Sequence, residues 1–301
     1  MKTYFDGFSD KQMLDWYHSW CKSYTKNHPF PEGQGNTIAS GQRNDVFNVY
    51  AYGDTIKIVY IKNGKKFKKT DEISHFKKDE TKPLTEKEKS LRFSQSISRS
   101  KARIFELAMC NEFQFFCTFT QDKTKRDRFD LFEFRKDFSQ FIRNQNRFRA
   151  ENEKIKYLLI PEQHKDGAWH MHGLLQGLTE NDLKEFTLKD HIPKRIKDQI
   201  RNGERVFDWL KYRNSFGFFT CTAIKETGAC ARYITKYVSK DLQRTVHESG
   251  EHLFFASKGL KGREVILKNC YEQCPVSEWD FENDYVKVKE VEISSVPFMG
   301  Q

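Results

Sequence analysis

At 301 residues the chain has room for one elaborated domain or two small ones. Its 52 Lys and Arg outweigh 42 Asp and Glu, and the net charge of +10 favours a polyanionic partner. No stretch reaches the ~18 apolar residues of a membrane span. The opening Met1-Lys-Thr-Tyr-Phe-Asp6 lacks the apolar core of a signal peptide. The seven cysteines form no paired Cys-x-x-Cys pattern, Cys270 and Cys274 being the closest. A soluble protein with reduced thiols in a cytoplasm-like compartment is expected.

In chain order, Phe47 to Ile61 has strand character, broken at Gly53-Asp54, and Lys62-Asn-Gly-Lys65 offers a tight turn. Residues 70–90 are charged and polar and read as a linker, with Leu84 to Gln95 unassigned. Ser96 to Cys110 predicts an amphipathic helix with Ile97, Ile104, Leu107 and Ala108 on one face. The strand Gln114 to Thr120 follows. A second helix over Leu131 to Arg147 carries the stripe Leu131, Phe134, Phe138, Phe141 and Ile142. Beyond these come a hairpin, a polar helical stretch near Glu180 to Asn202, the strand Phe216 to Ile224, and a helix over Gly228 to Asp241. His252 to Ala256 offers a last strand. The tail after Cys274, with Pro275 and Pro297, reads as a loose end.

The hairpin carries the first chemical signal, Glu162-Gln-His-Lys-Asp-Gly-Ala-Trp-His-Met-His172. Lys165-Asp-Gly167 is a three-residue loop with Gly last, the sequence of a type I turn closed by a left-handed residue. In that register Glu162 faces His170, and alternation puts His172 on the same face. A two-residue Asp-Gly turn would send Glu162 to the other face. Two imidazoles and one carboxylate leave coordination positions open for Mg²⁺, Mn²⁺ or Zn²⁺. Such a cation binds a phosphate oxygen and polarises phosphorus. His-Met-His is also compatible with two surface imidazoles on a half-exposed strand. His164 faces the same side, as a fourth ligand, a supporting group or a solvated one.

The second signal is Tyr233-Ile-Thr-Lys-Tyr237. Tyrosines four apart on a helix share a face, and Lys236 and Lys240 each follow a tyrosine by three. A phenol has a pKa of about 10; a lysine or metal beside it favours the phenolate and offsets charge on a phosphorane. The competing reading packs one or both rings against the sheet.

Together these clusters resemble the HUH endonucleases, in the branch that initiates rolling-circle replication of small phages and plasmids. Phe115-Phe-Cys-Thr-Phe-Thr120 is similar to the family's first motif, with Phe119 where the family often has Leu. Pro161-Glu162 with His170-Met-His-Gly-Leu-Leu175 resembles the second, and Ala231-Arg-Tyr-Ile-Thr-Lys-Tyr-Val-Ser-Lys240 the third. The paired tyrosines resemble the two-tyrosine gene A and gene II type replication proteins (Rep), over roughly residues 90–260. The resemblance implies Glu162, His170 and His172 as ligands of Mg²⁺ or Mn²⁺. It implies Tyr233 and Tyr237 as nucleophiles, with Lys236 and Lys240 beside them. It implies nicking of single-stranded origin DNA by transesterification, through a 5′-phosphotyrosine and a free 3′-hydroxyl, followed by rejoining. It also implies a bacterial host cytoplasm and a separate host helicase and DNA polymerase.

The basic residues fit a nucleic-acid partner. Arg126, Arg128, Arg135, Arg143, Arg147 and Arg149 follow the first motif strand, and Lys62 to Lys69 holds five lysines. Arg126, Arg128 and Lys258, with Thr118 and Thr120, are the expected DNA contacts, and some of the 27 Phe are expected to stack on unpaired bases. Gly64-Lys65 is followed by Lys66, so no P-loop is present. The expected fold is α+β: a ferredoxin-like split βαβ with a central antiparallel sheet carrying the HUH hairpin and helices on one face. The expected organisation is accessory strands and linker in 1–90, the endonuclease in 91–260, and an extension in 261–301. Three other readings stay open: a non-catalytic DNA-binding initiator or regulator, a metal-dependent hydrolase using water, and an HUH transposase or relaxase with the same chemistry.

Overall fold

The computed structural model describes residues 43–53, 55–66, 85–179, 181–238, 242, 252–270, 274, 276 and 278–292. In chain order its strands are β1 Arg43–Tyr52, β2 Thr55–Lys66, β3 Phe115–Thr120, β4 Lys156–Gln163, β5 Trp169–Gln176, β6 Lys184–Glu185, β7 Val206–Asp208, β8 Phe219–Ala223, β9 Phe255–Ala256, β10 Glu264–Cys270, β11 Phe281–Glu282 and β12 Val286–Glu292. Its helices are α1 Glu86–Met109, α2 Leu131–Asn146, α3 Lys194–Arg201, α4 Leu210–Ser215 and α5 Thr227–Ile234. Two compact units form: Met1–Lys82 with Gly262–Gln301, and Pro83–Lys261.

The first unit holds an antiparallel sheet in the order β10-β1-β2-β12-β11. Gly53, at φ +55°, turns β1 into β2. Phe47, Val49 and Ala51 from β1 and Ile56 and Ile58 from β2 form its core with Val276. Two expectations are corrected here. Lys62 to Lys65 is not a turn: β2 runs on through it, with a register shift that brings Lys65 opposite Asn44. The region after Cys274 is not a loose end either. Residues 286–292 read Val-Lys-Val-Lys-Glu-Val-Glu, an alternation that pairs with β2 from Ile61 to Thr55.

The second unit holds a seven-stranded sheet in the order β6-β7-β8-β3-β5-β4-β9, antiparallel at each pairing. The central order β8-β3-β5-β4, with α2 crossing from β3 to β4, is the split βαβ plan. The fold is mixed α+β as expected, but helices lie on both faces. On one face Phe119 of β3 meets Phe138 of α2 and Tyr212 of α4, each with ring centroids 5.1 Å away. On the other, Phe116 meets Tyr233 of α5 at 5.5 Å. The buried residues of α2 are the five of its predicted stripe.

Helix α1 starts ten residues before the predicted Ser96, inside the stretch read as linker. Thr85 and Glu88 form a reciprocal capping box at its N-terminus. Its first three turns are almost wholly exposed, so apolar periodicity begins only near Ile97. The helical stretch near Glu180 to Asn202 shrinks to α3, and β9 is the short strand foreseen at His252 to Ala256. Most phenylalanines with full burial serve the core rather than a ligand: Phe119, Phe134, Phe138, Phe216 and Phe219 are nearly inaccessible. Among the described residues no helix is long and apolar enough to cross a membrane.

Phe138 is 1% exposed and packs edge-on against both Phe119 and Tyr157. Phe138→Ala is expected to cost about 3–5 kcal/mol, read as a fall in the urea midpoint with unchanged m-value.

Candidate active site

The β4–β5 hairpin takes the expected register. Glu162 lies opposite His170 and Gln163 opposite Trp169. The His164 N–H donates to the Ala168 carbonyl and the Gly167 N–H to the His164 carbonyl, each at 2.9 Å. Gly167 closes the Lys165–Gly167 loop at φ +86°, a conformation most side chains resist. Six residues on, Gly173 has a different task. A Cβ there would collide with Leu159 and with the Leu158 carbonyl oxygen, so only glycine lets β4 pass this close.

Strand β3 lies on the other side of β5 and brings Thr118 abreast of His172 and Thr120 abreast of His170. The hydroxyls reach the rings: Thr118 Oγ1 is 3.2 Å from His172 Nδ1, and Thr120 Oγ1 is 2.9 Å from His170 Nδ1. The two threonines expected to touch DNA therefore orient imidazoles, leaving each Nε2 turned outward. His172 Nε2 then sits 2.6 Å from Glu162 Oε2. A carboxylate only accepts, so His172 donates Nε2–H there and takes the Thr118 hydroxyl proton at Nδ1. The His170 ring stacks on His164, 3.6 Å between centroids and 12° between planes.

The tyrosines enter from α5. Its N-cap is Glu226, whose carboxylate accepts the Ala229 N–H at 2.8 Å. The helix is shorter than predicted: it tightens at Thr235 into a 3₁₀ turn, Thr235–Tyr237, and ends at Val238. The Thr235 hydroxyl donates to the Arg232 carbonyl at 2.8 Å, the local competition that β-hydroxyl residues bring to a helix end. Tyr233 and Tyr237 still share a face, with hydroxyl oxygens 3.3 Å apart. Tyr237 lies flat on His172, 4.2 Å between centroids and 13° between planes. Tyr233 is 47% exposed, with the Lys236 ammonium 5.4 Å from its ring centre. The two tyrosines, equivalent by spacing, are thus unequal in place.

Burial sets the charge states. It pushes His170 down to about 4, helped by the His164 and His172 imidazoles and, more weakly, by Arg128. It also lowers His172, against an opposing pull from Glu162. It raises the Tyr237 phenol, with the Tyr233 hydroxyl and Glu162 adding to the rise and Arg195 working against it. Both imidazoles are therefore neutral at physiological pH, with lone pairs to offer, while Tyr237 holds its proton.

Glu162, His170 and His172 thus lie on one face, as the register required. Among the described residues, however, no three His, Cys, Asp or Glu side chains converge on one point. Glu162 is turned onto His172, and His170 onto His164. The donor chemistry nonetheless fits a divalent cation: two neutral, hydroxyl-oriented imidazoles and a carboxylate, with a shared proton where a cation binds. Of the other expected residues, Arg126 pairs with Asp137 at 3.4 Å and covers the Phe216 ring. Arg128 lies 3.6 Å from Asp166 in the hairpin loop. Lys258 is exposed on the turn after β9, and Lys240 falls outside the described residues. Sequence reasoning missed Phe116, whose ring meets both tyrosines, and Arg195 of α3, whose charge acts on both His172 and Tyr237. Phe116 could have been found from the alternation Phe116, Thr118, Thr120; no local pattern marks Arg195.

Fold and site together define an α+β protein whose central antiparallel sheet presents a His-x-His strand, a carboxylate and a tyrosine pair on one face. A family model for the replication-associated proteins of the ORF2 and gene II protein kind matches residues 114–242, from the start of β3 to Leu242. The match supports a protein of the replication-initiator kind. No curated protein and no solved structure gave a match.

Because the folded chain holds His170 near 4 and an unfolded histidine titrates near about 6.5, the unfolded state binds the extra proton between those values. Stability should therefore fall as pH drops through that window. His170→Gln should flatten the fall, measured by urea denaturation in chelator between about pH 7 and about pH 4.5. An unchanged slope would contradict the assignment.

Proposed function

We propose that this protein initiates replication by nicking and rejoining single-stranded origin DNA, with a tyrosine as nucleophile. The observation that carries the reading is the stack of Tyr237 on His172, whose Nε2 contacts Glu162 while the Tyr237 hydroxyl lies 3.3 Å from that of Tyr233. A hydrolase needs a place for water beside the imidazoles; here that place is taken by a phenol ring. The match to a replication-associated family supports DNA as the partner and replication as the setting.

In this reading Glu162, His170 and His172 hold Mg²⁺ or Mn²⁺, with Thr118 and Thr120 fixing the rings. The cation supplies Lewis-acid polarisation of the scissile phosphate and charge neutralisation. The residues of the chain do the rest. A tyrosine oxygen bonds to phosphorus, the P–O3′ bond breaks, and the phenolic proton is balanced by the one gained at the 3′-hydroxyl. Lys236 and Arg195 lower the cost of the phenolate and of charge on the phosphorane. Rejoining is the same exchange reversed, so the bond energy is conserved in the phosphotyrosine. The two hydroxyls occupy one locus, so a strand held by one tyrosine lies within reach of the other. Tyr237, nearest the imidazoles, is placed for the first attack, and exposed Tyr233 for the second.

The test is a denaturing gel of the protein incubated with labelled single-stranded DNA from its origin and Mn²⁺. A protein–DNA adduct is expected. It should disappear with chelator and in Tyr233→Phe/Tyr237→Phe, and fall by more than about 10²-fold in Tyr237→Phe alone. Cleavage without an adduct would establish a water-using hydrolase; binding with neither would establish a non-catalytic initiator.

A further inference from the structure

Two large apolar rings stand in solvent beside the catalytic hairpin. Phe129 is 58% exposed and Phe132 53%. In a fold that buries nearly all of Phe119, Phe134, Phe138, Phe216 and Phe219, such exposure needs a reason. Neither ring is loosely held. The Phe129 N–H donates to the Asp127 carboxylate at 2.8 Å, and the Phe129 carbonyl accepts the Trp169 indole N–H at 3.2 Å. The Arg128 carbonyl accepts the Trp169 N–H at 2.8 Å, which ties this loop along the start of β5. The Phe129 ring lies over Gly167, the closing residue of the hairpin loop, within van der Waals reach of where a Cβ would stand. Phe132 sits in the first turn of α2, fixed by the Asp130 cap.

Each ring carries a guanidinium. Arg128 lies 5.7 Å from the Phe129 ring centre, and Arg135 lies 5.2 Å from that of Phe132. A protein-binding patch favours contiguous apolar area depleted of charge at its centre. Rings interleaved with arginines suit a polymer that alternates flat bases with phosphates. Trp169, which anchors the loop, directly precedes His170, and Arg128 is near enough for its charge to be felt at that imidazole.

We propose that Phe129 and Phe132, flanked by Arg128 and Arg135, are a stacking platform for unpaired bases of the DNA strand adjoining the scissile phosphate. The platform rests on the single-strand reading of the site and specifies where that strand runs: past the tip of the β4–β5 hairpin rather than over the far end of the sheet. Its base contacts are sequence-tolerant, since every base offers a π face.

The test is equilibrium binding of the full chain, in EDTA, to two labelled oligomers of equal length: oligothymidylate and the same backbone with abasic sites. Phe129→Ala/Phe132→Ala should weaken oligothymidylate binding by roughly tenfold or more and leave the abasic oligomer unchanged. Phe129→Leu/Phe132→Leu, which keeps apolar volume and fold but removes the π faces, should behave alike. The salt dependence of both variants should match the parent, because phosphate contacts persist. Equal loss on both oligomers, or no loss on either, would overturn the platform. Unchanged DNA affinity with altered sedimentation would assign the rings to a protein interface and overturn it as well. The adduct gel reads the tyrosine chemistry separately: base-dependent loss without an adduct keeps the platform and rejects nicking, and an adduct without base-dependent loss does the reverse.

Discussion

The register of the β4–β5 hairpin is the constraint on which the rest of the site depends. Side chains alternate faces with a period of two, so a slip of one residue would carry Glu162 away from both imidazoles. Three local features hold the register. The Lys165–Gly167 loop closes through His164 and Ala168, with Gly167 at a positive φ. Gly173 allows a backbone approach that no other residue permits. Strand β3 then locks β5 from the other side, and its threonines bond to the two rings. A hydroxyl can donate or accept, so each threonine holds its imidazole in either tautomer. That property suits a ring that must exchange a proton for a cation.

Burial then shapes the electrostatics. It keeps the imidazoles neutral and the Tyr237 phenol protonated. A buried face with lone pairs and no compensating positive charge is poised for a cation rather than satisfied without one. The contact between His172 and Glu162 shows the same tendency, because a proton stands between two donors suited to a metal. The raised phenol is the counterpart: in the proposed mechanism Tyr237 gives up its proton only when positive charge and phosphate are both at hand. Unused phenolate would otherwise sit beside Glu162 at a cost in repulsion.

Much of this was legible in the sequence because it rests on short-range periodicity. The stripe of α2 and the Lys-Asp-Gly loop are local patterns, and the structure repeats them residue for residue. What the sequence hid is non-local or polar. The first turns of α1 carry no apolar period, and only the Thr85–Glu88 pair announces them. β12 alternates valine with charge and makes sense only beside β2, far back in the chain. The inequality of the tyrosines was invisible for the same reason. Both are followed by the same spacing to lysine, and only the packing of α5 on β5 puts one over His172 and leaves the other in solvent. Thr118 and Thr120 were located but given the wrong partner, since a strand's cross-neighbour depends on sheet order and not on its own sequence.

The central claim is that one face of the hairpin binds a divalent cation under Tyr237. The most direct measurement is an anomalous difference map from crystals grown with Mn²⁺, compared with crystals of Glu162→Gln. The account predicts one peak within about 2.0–2.3 Å of Glu162 and the Nε2 atoms of His170 and His172, lost in the variant, with the His172–Glu162 contact opened to admit it. A map without density there, with that contact intact at saturating Mn²⁺, would contradict it.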